Sequence, residues 1–115
     1  MSEEKRISTN YELIYSIVKQ IPLGKVTSYG IIAKLIGGGF SARVVGYAMN
    51  KASFYDDIPA HRVVNRNGLL TGRHHFTPPQ RMQSLLEEEG IEIIDNQIVN
   101  FQDVLWNPLE DENYL

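Results

Sequence analysis

The sequence predicts a mainly α fold: a small helix-turn-helix domain, winged-helix-like, with a short β-hairpin. Three observations predict it. Apolar residues recur at helical spacing behind capping signals. Two short helical stretches flank Gly37-Gly38-Gly39, a turn that two antiparallel or crossed helices can use. Two short apolar runs, Ile91-Glu92-Ile93-Ile94 and Gln97-Ile98-Val99, flank Asp95-Asn96, which reads as a hairpin. At 115 residues the chain fits one domain, 1–115, expected to act as a monomer.

Taken in order, Thr9-x-x-Glu12 reads as a capping box that starts the first helix. Tyr11, Ile14, Tyr15, Ile17 and Val18 follow on one face, and Ile21-Pro22-Leu23-Gly24 ends it. Ser28 can cap a second helix running through Leu35 and Ile36, and the three glycines stop it. Ser41 can cap a third, with Val44, Val45, Ala48 and Met49 as its apolar stripe. Residues 51–59 read as loop, and Asn65-Arg66-Asn67-Gly68 is a turn. Residues 69–76 also read as loop. Thr77-Pro78-Pro79-Gln80 reads as a second capping box with proline at the first helical position. Its helix points Met82, Leu85 and Leu86 inward and stops at Gly90. Residues 107–115 read as a mobile acidic tail.

Composition narrows the function. With no cysteine, the chain forms no disulfide, no thiolate metal site and no cysteine nucleophile. His74 and His75 are adjacent but lack a third ligand in the pattern, so no metal and no cofactor is expected. No apolar run approaches the ~20 residues of a membrane-spanning helix. The charged Met-Ser-Glu-Glu-Lys-Arg stretch lacks the apolar segment of a signal peptide. The cytoplasm is the expected compartment, with nucleoid association if the source is bacterial. The net charge of −3 argues against a nucleic-acid partner only if the charge is evenly spread. It is not: between Lys34 and Arg81 only Asp56 and Asp57 are acidic, while acids gather at 87–89 and 110–112. A basic face on an acidic protein follows. The helix-turn-helix pattern alone does not fix DNA binding, since many small helical domains contain such a pair.

The stretch Pro59-Ala60-His61-Arg62-Val63-Val64 resembles the active-site signature of the O6-alkylguanine-DNA alkyltransferases, Pro-Cys-His-Arg-Val. Two further motifs stand in the family's order. Ile21-Pro22-Leu23-Gly24-Lys25-Val26-Thr27-Ser28-Tyr29-Gly30 is similar to its Ile-Pro-x-Gly-x-Val-x-(Ser/Thr)-Tyr-Gly. Ala42-Arg43-Val44-Val45-Gly46-Tyr47-Ala48-Met49 is similar to its Ala-Arg-x-Val-Gly-x-Ala-Met recognition helix. The resemblance runs from about Tyr11 to Trp106. In those enzymes the cysteine accepts the alkyl group; here that position holds Ala60, and a methyl group is no nucleophile. A preserved motif around a missing reactive atom resembles the alkyltransferase-like proteins, which bind alkylated guanine without repairing it.

The resemblance implies a DNA-binding set of Tyr29, Ser41 and Arg43, and a lesion pocket of Tyr29, Pro59, Ala60, His61 and Arg73. Arg43 would enter the duplex and fill the space of the extruded guanine, beside helix-start N–H groups that can hold phosphates. Read from the residues alone, it is a solvated helix arginine. Tyr29 would sit at the phosphate that rotates during base flipping; read alone, it is a core aromatic. Arg73 stands where the transferases have a pocket tyrosine and would pack on the flipped base; read alone, it is an exposed loop arginine. His61 and Glu89 match the transferase proton relay, and without a thiol they read as a hydrogen-bonded pocket floor. Arg62 reads as a fold anchor paired with backbone or a carboxylate. Many non-enzymatic relatives carry tryptophan where this chain has Ala60, which leaves more room and fewer contacts.

The implied function is binding of O6-alkylguanine in double-stranded DNA by nucleotide flipping, without alkyl transfer, as a flag for nucleotide-excision repair proteins. An alkyltransferase whose cysteine was replaced by alanine is one rival. The Arg73 loop, the run at 87–93 and Leu105-Trp106-Asn107-Pro108 argue instead for a naturally non-catalytic chain. The other rival is a helix-turn-helix regulator that reads sequence. Against it, Val44, Val45, Gly46 and Ala48 are a poor set for major-groove hydrogen bonds.

Overall fold

The computed structural model describes the backbone of residues 2–52 and 54–110, and side chains from residue 11 onward within that range. Helix α1 spans Ser2–Lys19. It begins seven residues before the Thr9 box, because Glu3, Glu4, Lys5 and Arg6 are themselves good helix formers and carry the helix through Thr9. The Thr9 side chain lies outside the described residues. Ile14 and Val18 are fully buried, and Tyr11, Tyr15 and Ile17 pack beside them. The helix ends before Ile21, as the Ile-Pro-Leu-Gly turn requires.

Strand β1 (Thr27–Ser28) leads directly into helix α2 (Tyr29–Ile36). The Ser28 hydroxyl accepts from the Ile31 N–H at 3.2 Å, which caps α2 as the sequence predicts. Gly37, Gly38 and Gly39 all take positive φ, between 62° and 86°, a path closed to most residues with a Cβ. Helix α3 (Ala42–Ala52) follows, with the Ser41 hydroxyl accepting from the Val44 N–H at 3.2 Å. Its buried stripe is Val45, Ala48, Met49 and Ala52. Val44, expected inside, is 36% exposed: it lies at the edge of that stripe, about 40° beyond Ala48 on the solvent side. Helices α1, α2 and α3 pack on one another around Ile14, Ile32 and Val45.

A single 3₁₀ turn at Ala60–Arg62 feeds strand β2 (Val63–Val64). β2 pairs in parallel with β1, Thr27 opposite Val63 and Ser28 opposite Val64. Because strand side chains alternate, Val63 enters the helical core while Val64 enters a second core. That second core holds Val26, Leu70, Met82, Leu86, Ile91, Ile93 and Ile98. On the other side of β1, Val26 and Leu105 form a parallel bridge, closed by Val26 N–H to Val104 O and Trp106 N–H to Val26 O.

Asn65-Arg66-Asn67-Gly68 turns as predicted: the Asn65 side-chain oxygen accepts from the N–H groups of Asn67 and Leu69, each at 2.9 Å. Residues Thr71–His75, expected as loop, form a 3₁₀ turn. Leu70 before it is fully buried and anchors the segment to the second core. Helix α4 (Gln80–Glu88) starts at Pro79 with no side-chain cap. The expected capping box does not form: the helix begins at Gln80 with Pro79 at its cap position, two residues past Thr77, so the Thr77 hydroxyl does not stand where a cap acts. Met82 and Leu86 are buried, whereas Leu85 stays half-buried on the helix flank.

The hairpin forms as predicted. Strand β3 (Ile93–Ile94) pairs antiparallel with β4 (Gln97–Ile98). Asp95 and Asn96 both take positive φ, 53° and 61°, the conformation of a two-residue hairpin turn whose twist suits the strands. A short helix α5 (Phe101–Val104) follows. In the described part of the expected tail, Pro108–Glu110 form a 3₁₀ turn with Pro108 buried; residues 111–115 lie outside the described residues. No helix among the described residues is long and apolar enough to cross a membrane.

Candidate nucleic-acid interface

One carboxylate organises the turn that carries Ala60 and His61. Glu89, at the end of α4, accepts from His61 Nε2 at 2.6 Å. Arg62 donates to it from Nε at 3.1 Å to either oxygen and from Nη2 at 3.0 Å. The Gly24 N–H donates to its other oxygen at 2.8 Å. Arg62 Nη1 reaches back to the Ile21 carbonyl at 3.0 Å. Three distant segments therefore meet at Glu89: the turn after α1, the 3₁₀ turn at Ala60 and the end of α4. Arg62 anchors the fold by both of the pairings that its sequence context suggests, to a carboxylate and to backbone.

The protonation states follow from these partners. Burial alone would push Glu89 up, but the bonds from Arg62, Gly24 and His61 outweigh it and hold its carboxyl below the usual range. Burial pushes His61 down; Glu89 pulls the other way without overcoming it, and the Arg62 charge adds to the lowering. At neutral pH the pair is then a carboxylate and a neutral imidazole. The carboxylate can only accept, so Nε2 carries the proton and Nδ1 is left as an acceptor. Ala60, 8% exposed, sits at the base of the same turn with only a methyl group. That methyl cannot form a covalent bond to an alkyl carbon.

Two clefts open beside this framework. The first, about 440 Å³, is lined by Pro59, Ala60, His61 and Arg62 together with Phe76, Arg81 and Leu85. Lys19, Tyr55, Asp56 and Asp57 line it too, and Lys19 pairs with Asp57 at 3.2 Å. The second, about 450 Å³, lies along α3 and takes Tyr29, Arg43, Tyr47, Asn50, Thr71, Gly72 and His75. Tyr29 is hydrogen-bonded to Thr71, and burial raises its pKa against that bond. A Cβ at Gly72 would stand 3.1 Å from the Tyr29 hydroxyl, so glycine there lets the loop close on the phenol.

The residues expected to share one pocket are thus divided. Pro59, Ala60 and His61 line the first cleft; Tyr29 lines the second, together with Arg43 of the expected DNA-binding set. Ser41 sits exposed at the start of α3, beside Arg43. Arg73 lines neither: its Nη1 donates at 2.9 Å to the Leu70 carbonyl, the same oxygen that accepts its backbone N–H at 3.2 Å to close the 3₁₀ turn. Arg43 is exposed but not loose. Its Nε donates to the Tyr47 hydroxyl at 2.8 Å, and its Cζ lies 5.9 Å from the centre of that ring. The sequence reading missed Tyr47, although its place four residues after Arg43 on a helix was a usable signal. It also missed Thr71 and Gly72, which carry no local sign of their contact with Tyr29. Among the described residues, no group of three or more His, Cys, Asp or Glu could hold a metal ion.

Residues 9–91 match the family described as the 6-O-methylguanine DNA methyltransferase, DNA binding domain. The chain is similar to alkyltransferase-like protein 1 of Schizosaccharomyces pombe, 36% identical over 107 residues, which covers 90% of this chain and 99% of that protein. It is also similar to the DNA base-flipping protein of Escherichia coli, 36% identical over 96 residues, covering 82% of this chain and 71% of that one. Its fold superimposes on the crystal structure of S. pombe Atl1 in complex with damaged DNA containing O6-carboxymethylguanine. The TM-score is 0.77 at 36% identity, over 88% of this chain and 97% of the other.

Proposed function

The chain belongs to the family of the 6-O-methylguanine DNA methyltransferase DNA-binding domain, and on that premise we propose that it binds O6-alkylguanine in duplex DNA by flipping the nucleotide and leaves the alkyl group in place. The observation that carries this reading is the Glu89 framework. His61, Arg62 and Gly24 hold the Pro-Ala-His-Arg turn at full hydrogen-bonding distance, around a methyl where a nucleophile would stand. The turn can wall a base pocket, and the position of the transferase nucleophile holds no group that could accept the alkyl group. The names of the similar proteins, an alkyltransferase-like protein and a base-flipping protein, support the same reading.

In this reading Arg43, on the exposed start of α3, occupies the gap left in the base stack. Tyr29 and Ser41 face the phosphates on either side of it. Flipping costs a few kcal/mol, so groups that hold the rotated backbone and the empty space must supply about that much. Arg73 stacks on the flipped base after exchanging its bond to Leu70 for the base face. A guanidinium there contributes about 1–2 kcal/mol. The protein acts as a monomer in the cytoplasm or nucleoid, without a cofactor. A protein that holds a lesion and leaves it unchanged is useful only if others act on the complex, and nucleotide-excision repair is the proposed consumer.

The test is a titration on matched duplexes containing guanine or O6-methylguanine, with the flanking sequence varied. Tighter binding to the lesion duplex in every flanking sequence is expected. Equal affinity for both bases would overturn the proposal, and affinity that followed the flanking sequence instead would favour a sequence-reading regulator.

A further inference from the structure

Building on that reading of Arg43, we propose that Tyr47 is a positioning residue that holds the Arg43 guanidinium ready for the duplex. The two residues are four apart on α3 and share its exposed face. Long helical side chains lean toward the helix N-terminus, so the Tyr47 ring leans back over the position of Arg43. The contact has two parts: a 2.8 Å hydrogen bond from Nε, and the ring face 5.9 Å from Cζ. Both residues line the cleft that also holds the Tyr29 side chain.

The choice of nitrogen decides what the contact can do. Arginine has five N–H donors, and this bond uses the one on Nε. The four on the two terminal nitrogens stay available for a base edge or a phosphate. The hold is therefore compatible with DNA contact and need not be broken to allow it. Free arginine side chains carry a large rotamer entropy that must be lost on ordering. At an exposed helix start, with no other bond to the guanidinium among the described residues, Tyr47 removes part of that loss before DNA arrives. On the opposite flank Gly46 presents no side chain, so the approach to the pair is open.

The experiment is a double-mutant cycle of Tyr47→Phe and Arg43→Lys, read on lesion and undamaged duplexes. Tyr47→Phe deletes the hydroxyl and keeps the ring; Tyr47→Ala removes both. With Arg43 present, Tyr47→Phe is expected to weaken lesion binding about three- to tenfold, the size of one net hydrogen bond, and Tyr47→Ala more. In the Arg43→Lys background, where Nε is absent, Tyr47→Phe is expected to change nothing. An equal loss in both backgrounds would show that Tyr47 touches DNA independently. An increase in affinity would show that the bond restrains Arg43 rather than presenting it. Either result, or no effect at all, overturns the inference. If the unaltered protein showed no preference for the lesion duplex, the broader proposal would fail first, and separately. Circular dichroism of each variant confirms that the fold is intact, as expected for exposed side chains.

Discussion

Replacing Glu89 by glutamine keeps the shape of the side chain and tests whether the carboxylate holds the Ala60 turn. The amide can present one oxygen where the carboxylate presented two. Oε1 receives Gly24 N–H, Oε2 receives His61 Nε2 and Arg62 Nη2, and Arg62 Nε lies 3.1 Å from both. Whichever way the amide turns, its NH₂ faces one of these donor sets. The side chains of Glu89, His61 and Arg62 are 9%, 12% and 16% exposed, so water rescues them only in part. Removing one partner of a buried pair costs about 3–5 kcal/mol. Arg62 keeps its bond to the Ile21 carbonyl, which places the expected cost near the lower end, about 3 kcal/mol. For a domain of this size that lowers the melting temperature by on the order of 10 °C. Thermal melts and urea titrations of Glu89→Gln beside the unaltered protein measure it. A loss under about 1 kcal/mol, with an unchanged urea slope, would refute the claim that this carboxylate organises the turn.

Two further predictions concern the same turn. Both His61 and Glu89 have folded pKa values below their ordinary ones, so the unfolded chain binds more protons than the folded one as pH falls. Stability is expected to decline as pH drops below about 6.5, where unfolded His61 charges, and again below about 4.5, where unfolded Glu89 does. His61→Gln should abolish the first decline in pH-dependent urea titrations while leaving the second. Separately, Ala60→Cys restores a thiol beside a neutral histidine, yet Arg73 is tied to the Leu70 carbonyl where the transferases place a pocket tyrosine. A misplacement of about 1 Å can slow a reaction on the order of a hundredfold. Lesion binding is therefore expected to persist with little or no alkyl transfer. Rapid, complete methylation of that cysteine, seen by mass spectrometry, would show that only the nucleophile was missing.

The local chemistry of the fold was legible in the sequence. Ser28 and Ser41 cap the helices they precede, the three glycines make the turn, and Asp95-Asn96 makes the hairpin. Each of these depends on residues within four positions of one another. What the sequence did not disclose depends on distant partners or on competition. Thr9 looked like a helix start because its pattern fits a capping box, but upstream helix formers outweigh it. Thr77 has the right spacing, but the helix takes Pro79 as its cap residue, two positions further on. The parallel pairing of Thr27-Ser28 with Val63-Val64 leaves no mark in either two-residue stretch. For the site, the resemblance proposes residues, but their division between two clefts and the return of Arg73 to Leu70 depend on where the 71–75 turn packs. The Tyr47 contact is readable from the four-residue spacing alone, on the face of α3 opposite its apolar stripe.

The shared carboxylate of Glu89 also bears on how such a protein can lose a reaction and keep its form. If the histidine and glutamate served only to activate a thiol, substitution of the cysteine would release both from selection. Here the same glutamate clamps Gly24 and Arg62, segments 65 and 27 residues away along the chain. A chain without the nucleophile would still be unable to discard the glutamate, because three segments are fastened to it. The relay would outlast its chemistry because the architecture had come to lean on it.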